Sequence, residues 1–512
     1  MTQADIIIIG GGAAGLMAAA AACQELTERQ ALTKSQNETV SQVGTGSKVG
    51  TGSQVETGSQ DNSKPKIIVL ERMPRPARKI MITGKGRCNL TNLKDWNEFS
   101  QHVHPKANFL RSAFYNLSPE GMMAYLENAG LELVVERGDR VFPASHHASD
   151  VIDTLVNTTQ KAGAKILCNR NVTSIEKVVT INNSLTDTDT QPNQESNNNQ
   201  ESKNNQKSNN NQENQTNNQE NQTNKESEIN QYRIKCSDGA EYQCSKLIIC
   251  TGGLSYPRTG STGDGYKWAK ELGHKMKPCF PSLTAIVPKG YKQDESDGDA
   301  KCHIARERSL SKFGEMLCGL QLKNIGLQLS VDGNVIADEF GDIDFTDGGL
   351  EGPIGFKLSR QCVNALINGS KAKIIIDLKP AVAPEQLEQR INALCKEKPQ
   401  MRQLLMKLVP AQLADMILKF YPNINQHKLG HFLKTWTLDI AGYVGYERCV
   451  VTAGGVAQED IISKTMESKI CSGLYFAGEV LDIDADTGGY NLQAAFSTGW
   501  LAGQNAAKAL NQ

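Results

Sequence analysis

DIIIIGGGAAG, residues 5–15, opens on an unbroken apolar run and closes on three spaced glycines, Gly10-x-Gly12-x-x-Gly15. The alanine-rich stretch LMAAAAAC follows at once. A run that is apolar at every position suits a central parallel strand, buried on both faces. Gly10 suits a tight turn, Gly12 the close approach of a pyrophosphate, and Gly15 the close packing of helix on strand. The helix that starts around Ala14 would offer free N–H groups and a positive dipole end to that phosphate. The glycine spacing alone is a weak signal, but here it has the strand–turn–helix context that the mechanism needs. The stretch therefore predicts an α/β chain with a Rossmann-like dinucleotide-binding domain.

In such a domain an acid closes the second strand, roughly 20 residues after the third glycine. KIIVLER ends in Glu71 and Arg72, much farther along, and the excess has a visible source. Residues 43–60, VGTGSKVGTGSQVETGSQ, are three near-copies of a six-residue Gly/Ser/Thr/Val unit inserted in that interval. Glu71 is the candidate for the ribose hydroxyls, with Arg72 beside it. A second tract at 183–229 is dominated by Asn, Gln, Ser and Glu. Neither tract can bury enough apolar surface to offset backbone ordering, so disorder is expected at about 30–64 and 183–229. VTSIEKVVT, which begins with the candidate contact Val172, and QYRIKCSDGAEYQCSKLIIC alternate like strands of a meander. The polar tract between them reads as an expanded hairpin tip.

A chain of 512 residues suggests two to four domains. With 55 Lys+Arg against 56 Asp+Glu there is no basic excess, so nucleic acid is not expected as a partner. The 13 cysteines include no CxxC, which fits reduced thiols and a cytoplasmic location. Asp5 stands where an export signal would carry Lys or Arg, and no stretch approaches a membrane span in length.

A later stretch points to the kind of dinucleotide. SGLYFAGEVLDIDADTGGYNLQAAFSTGWLAG, 472–503, is again an apolar strand, then Gly478-Glu479, then glycines opening a helix of small residues. Glu479 could bind ribityl hydroxyls, and Gly488, Gly489 and Tyr490 would present N–H groups at a helix start that favours negative charge. Asp482 and Asn491 are candidates in the same segment. KLIICTGG, 246–253, adds a third strand-to-glycine turn at Thr251, Gly252 and Gly253. NAD has no need of the distant second part; FAD does.

These motifs, with RKIMITGKGRCNLTN, RVFPASHHASDVIDTL, TGGLSYPRTGSTGDGY, VTAGGV and TMESK, are spread from Ile6 to Gly503. Together they resemble the BaiN-type (YhiN-like) NAD(P)/FAD-dependent oxidoreductases, some of them aminoacetone-oxidase-like. The resemblance implies a flavin domain of glutathione-reductase superfamily type in two parts, 1–276 and 442–512. Between them it implies an inserted substrate or cap domain at 277–441, with strands around 283–288, 316–331 and 372–378 and helices over 384–437. In the family the GRCNLTN segment lies against the flavin. That makes Lys79, Gly84, Lys85, Gly86, Arg87, Cys88, Asn89 and Thr91 cofactor candidates, with Cys88 a pocket residue rather than a redox thiol. The insert reads FTDGGLEGPIG, with Asp347 and Glu351 where the family commonly has His and Ser, so its substrate chamber is expected to differ.

No second strand–GxGxxG–helix unit is visible, so NADPH or NADH would dock transiently. Tyr256 and Tyr490 are candidates to supply a proton, and Arg258 to polarise a carbonyl. Asp264 and Asp486 read as turn or cap residues, and His146 and His147 as caps of a helix from Ser149. The expected activity is NAD(P)H-driven reduction of an electron-poor double bond in a small organic substrate. The alternatives are oxidation of a small amine and, from another class, an RNA-associated flavoprotein.

Overall fold

A computed structural model describes residues 1–43, 66–181, 228–293, 304, 308–397 and 400–511. Nearly all of both low-complexity tracts lies outside the described residues. Strand β1 (Thr2–Ile9) occupies the middle of a parallel sheet, and Ile6, Ile7 and Ile8 are wholly buried. It pairs with β2 (Ile67–Leu70) on one side and with Glu241–Ile249 on the other. Lys165–Leu167 and Leu474–Phe476 extend the parallel set at the two edges. Strands 172–181, 228–236 and 241–249 form the expected meander, with Ile181 opposite Glu228 across the ladder.

Helix α1 (Ala13–Val43) leaves the turn after β1 and runs well beyond the expected onset of disorder at residue 30. No Gly or Pro interrupts residues 16–43, and the first breaker is Gly44. The C-terminal helix, Tyr490–Lys508, packs on α1. A methyl group at Gly499 or Gly503 would overlap the carbonyl oxygens of Ala14 and Ala18, so two glycines one turn apart let the helix backbones touch.

The insert is a closed six-stranded barrel with helices. Its strands are 286–288, 321–331, 334–346, 349–351, 372–377 and 436–443. The expected edges at 277 and 441 fall inside strands. Lys277 belongs to Met276–Ser282, which pairs with Val451–Val456 outside the barrel, and Ala441 belongs to Trp436–Tyr443, inside it. Residues 312–317 are helical, so the strand expected from 316 starts at Gln321. The helix-patterned stretch holds four helices between Pro384 and Lys434. The long partner strand 334–346 and the helix Pro353–Ile367 complete the barrel.

Insert and parallel-sheet domain are joined by a buried ion pair. Arg360 Nε donates to Asp484 Oδ2 at 2.8 Å and Ser282 Oγ to the same oxygen at 2.9 Å, while the Asp484 side chain is wholly buried.

Candidate active-site cleft

The C-terminal ends of the parallel strands open into a cleft. This is where a doubly wound sheet holds its ligand. Of the residues expected to bind a cofactor, Gly10, Gly12, Ala14, Glu71, Arg72, Lys79, Val172, Thr251, Gly252, Gly478, Glu479 and Asn491 line it. They come from seven separate chain segments.

The turn after β1 is built as the glycines require. Gly10 has φ +103° and sits against the Cys250 carbonyl, while the space around Gly12 is open. Gly15 lies behind the turn, where a methyl would overlap the Gly10 oxygen, so it packs helix on strand rather than facing the cleft. Glu71 Oε2 accepts from the Gly11 amide and Oε1 from the Met73 amide, both at 2.7 Å. Burial pushes its carboxyl pKa up, against the pull of these amides and of Arg72. Arg72 Nη1 donates to Asp264 Oδ2 at 2.7 Å and to Thr262 Oγ1.

Glu479, expected at the ribityl hydroxyls, lines the cleft and is held in place by its neighbours. Its Oε1 accepts from Ser255 Oγ at 2.6 Å and from the Thr452 amide at 2.8 Å, and its Oε2 accepts from Lys79 Nζ at 2.5 Å. Oε1 takes two bonds and Oε2 one, so Oε2 keeps acceptor capacity toward the cleft. The Asn491 side chain is tied to the Ala485 amide and to the carbonyls of Ala485 and Asp486. The first-turn amides of its helix have no intrahelical acceptor and remain for a ligand.

Of the GRCNLTN loop, Ile80 and Thr83 line this cleft, whereas Gly84, Lys85, Gly86, Arg87, Cys88, Asn89 and Thr91 lie beside it. Lys85 points to solvent with Asp344 at 3.9 Å. Arg87 pairs with Glu136 at 2.8 Å and lies over the Phe142 ring. Cys88 is wholly buried in a core cluster with Leu16 and Met17, and burial pushes its thiol up to about 12. Thr91 is buried against Gly489. Asn89 has a buried, unpartnered Oδ1. The loop needs its unusual residues for shape: Gly84, Lys85, Gly86 and Cys88 all adopt positive φ.

The catalytic candidates also fall outside the lining. Tyr490 is buried with its ring stacked on His102 at 4.4 Å, and burial raises its phenol pKa well above the ordinary value. Arg258 is exposed and Tyr256 is half-buried, whereas the next residues, Thr259 and Gly260, do line the cleft. Gly253 sits behind the wall against Thr452, and Gly488 and Gly489 support the helix start. Asp482 is buried outside the cleft, its carboxyl pushed up to about 6 by burial and by Asp484. Asp486 is held by His102 Nδ1 at 2.9 Å and by His104 at 3.5 Å; burial opposes it, but these bonds keep its carboxyl below the usual range. His147 occupies the N-cap position of the helix that starts at Ala148 but its side chain makes no capping bond, and Ser145 Oγ accepts from the His147 amide.

Sequence reasoning missed Arg78, Arg170, Asn171, Ser261, Val450, Val451 and Thr498, all of which line the cleft. Arg78 stood in a basic run, Val451 began the VTAGGV motif, and Ser261 and Thr498 lay inside quoted motifs without being singled out; Arg170, Asn171 and Val450 carried no local signal.

The cleft suits an FAD-sized ligand. Besides the open space at Gly12, Thr251 Oγ1 is buried in its wall without a hydrogen-bond partner among the described residues. Residues 43–200 and 192–505 match the HI0933-like protein Rossmann domain. The chain belongs to the HI0933-like family. It is an FAD-dependent oxidoreductase. A family relative, the 3-dehydro-bile acid delta(4,6)-reductase of Clostridium scindens, is 24% identical over 86% of this chain and 93% of its own length. The ribosomal RNA dihydrouridine synthase of Haemophilus influenzae is 26% identical over 85% of this chain and 90% of its own. A flavocytochrome c3 fumarate reductase in its open conformation aligns with a TM-score of 0.43 at 15% identity, covering 100% of this chain and 79% of its own. Among the described residues no helix is long and apolar enough to cross a membrane, and no cluster of metal-ligating side chains occurs.

Proposed function

We propose that the chain uses NADPH or NADH to reduce a carbon–carbon double bond conjugated to a carbonyl in a small organic substrate. The observation that carries this reading is the cleft, whose wall brings together a dinucleotide turn, Glu71, the first turn of the C-terminal helix and a positioned lysine. FAD bound there supplies the hydride chemistry. The protein's part is to hold the diphosphate at the Gly10–Gly12 turn, to present the amides of 490–492, and to keep Lys79 fixed. The relatives' names support double-bond reduction, one being a delta(4,6)-reductase and the other forming dihydrouridine, which is uridine with two hydrogens added. None of the twelve described cysteines is in a disulfide, in keeping with a cytoplasmic setting.

A small substrate is favoured over RNA by the charge of one stretch of the insert, next to the cleft. Residues 324–356 contain seven acids and no Lys or Arg. Asp344 in this stretch lies beside Lys85, on the loop whose Thr83 lines the cleft. The two positions that depart from the common family pattern, Asp347 and Glu351, both pair with Arg448 at 2.6 Å. The trio is left with a net negative charge, unfavourable for a polyanion.

The test is anaerobic turnover of a panel of enones with each nucleotide. Consumption of enone in step with nucleotide supports the reading. Peroxide formation from aminoacetone would replace it with the amine-oxidase alternative, and RNA copurification resistant to high salt would replace it with an RNA-directed one.

A further inference from the structure

Lys79 and Glu479 meet across the cleft from points 400 residues apart in the chain. They are part of one connected network. Lys79 Nζ donates to Ser255 Oγ as well as to Glu479, and Ser255 Oγ donates to the other Glu479 oxygen. Thr452 closes the network. Its amide donates to Glu479 at 2.8 Å, and its hydroxyl accepts the amides of Leu254 and Ser255 at 2.8 and 3.1 Å. Ser255 and Thr452 are wholly buried, so four chain segments fix one ammonium group. An ammonium has three donors. Two are used here, and the Lys79 side chain remains 25% exposed in the cleft wall.

We infer that Lys79 is a fixed cation that sets the reduction potential of the flavin held in this cleft, and that Glu479 is the positioning residue that governs how much of that charge the flavin feels. This rests on the flavin reading above. Reduction by two electrons adds negative charge to the ligand, so a nearby cation favours the reduced form and a nearby carboxylate opposes it. The two partners therefore act with opposite sign. A purely structural role would give both substitutions the same direction, or none.

The experiment is a measurement of the flavin midpoint potential in the full-length, FAD-loaded protein and its variants. Lys79→Met is expected to lower the reduced-to-oxidised ratio at a set potential about tenfold, a shift of about 30 mV downward for a two-electron couple. Glu479→Gln is expected to shift it upward. Lys79→Arg, which keeps the charge, should stay within about threefold of the wild type. If Lys79→Met fails to retain FAD, Glu479→Gln still decides the sign. Shifts in the same direction for Lys79→Met and Glu479→Gln, or an unmoved potential in Glu479→Gln, overturn the inference. A wild-type protein that binds no FAD would show up separately, at the loading step, and would remove the flavin reading along with this one.

Discussion

Gly12 and Gly15 stand three residues apart in one motif, and the structure gives them different physical tasks. Nothing lies within 4 Å of a methyl group built on Gly12, and its φ is not in the left-handed region. Gly12→Ala should therefore fold as well as the wild type; where the conformation permits it, such a change contributes up to about 1 kcal/mol of stability. The added methyl occupies space reserved for the ligand, and a displaced diphosphate should weaken FAD binding about 10- to 100-fold, or about 1.4 to 2.8 kcal/mol. Gly15→Ala meets the Gly10 carbonyl oxygen and lies 3.4 Å from Ile8 Cγ2. Overpacking of this kind costs about 1 to 3 kcal/mol, more where backbone must shift. Flavin-fluorescence titration and the thermal midpoint of the FAD-free protein separate the two effects. Unchanged FAD affinity in Gly12→Ala would refute the placement of the diphosphate at this turn. So would a stability loss in Gly12→Ala matching that of Gly15→Ala.

Arg360→Ala strands the wholly buried Asp484 carboxylate, and a loss of about 3 to 5 kcal/mol is expected in urea unfolding. An unmoved urea midpoint would show that the pair does not hold the insert. Cys88, with its thiol pushed up to about 12, should resist alkylation at pH 8 until the protein is unfolded; rapid labelling of the native chain would put it back in the cleft. Asp482 has a folded-state pKa near 6, raised above its ordinary value, so folding takes up a proton and stability falls as pH rises from about 4 to 6. Asp482→Asn should flatten that slope and raise the midpoint at pH 7, and an unchanged slope would contradict the assignment.

The nucleotide half of the fold was legible because its chemistry is local. An all-apolar strand, three glycines and an acid at the end of β2 each declare themselves within a few residues, and Gly10, Gly12 and Glu71 line the cleft together. The barrel was less legible. Strand 334–346 alternates acids with buried Ile343 and Phe345 late in its length, but its first residues are exposed and carry little signal. In the GRCNLTN loop, glycines and polar side chains made cofactor contact the natural expectation. The fold adds that the loop holds positive-φ backbone and sends Cys88 and Leu90 into a core. Glu479 shows a further limit of sequence. An acid after a strand end suits a ribityl contact, and only the fold reveals that Lys79, Ser255 and Thr452 also bond its two oxygens.

The most direct measurement is the absorbance spectrum of the FAD-loaded protein under argon, before and after NADPH and then NADH. A flavin spectrum that bleaches within seconds with either nucleotide is the predicted result. A bound flavin that stays oxidised with both would contradict the nicotinamide-driven reductase.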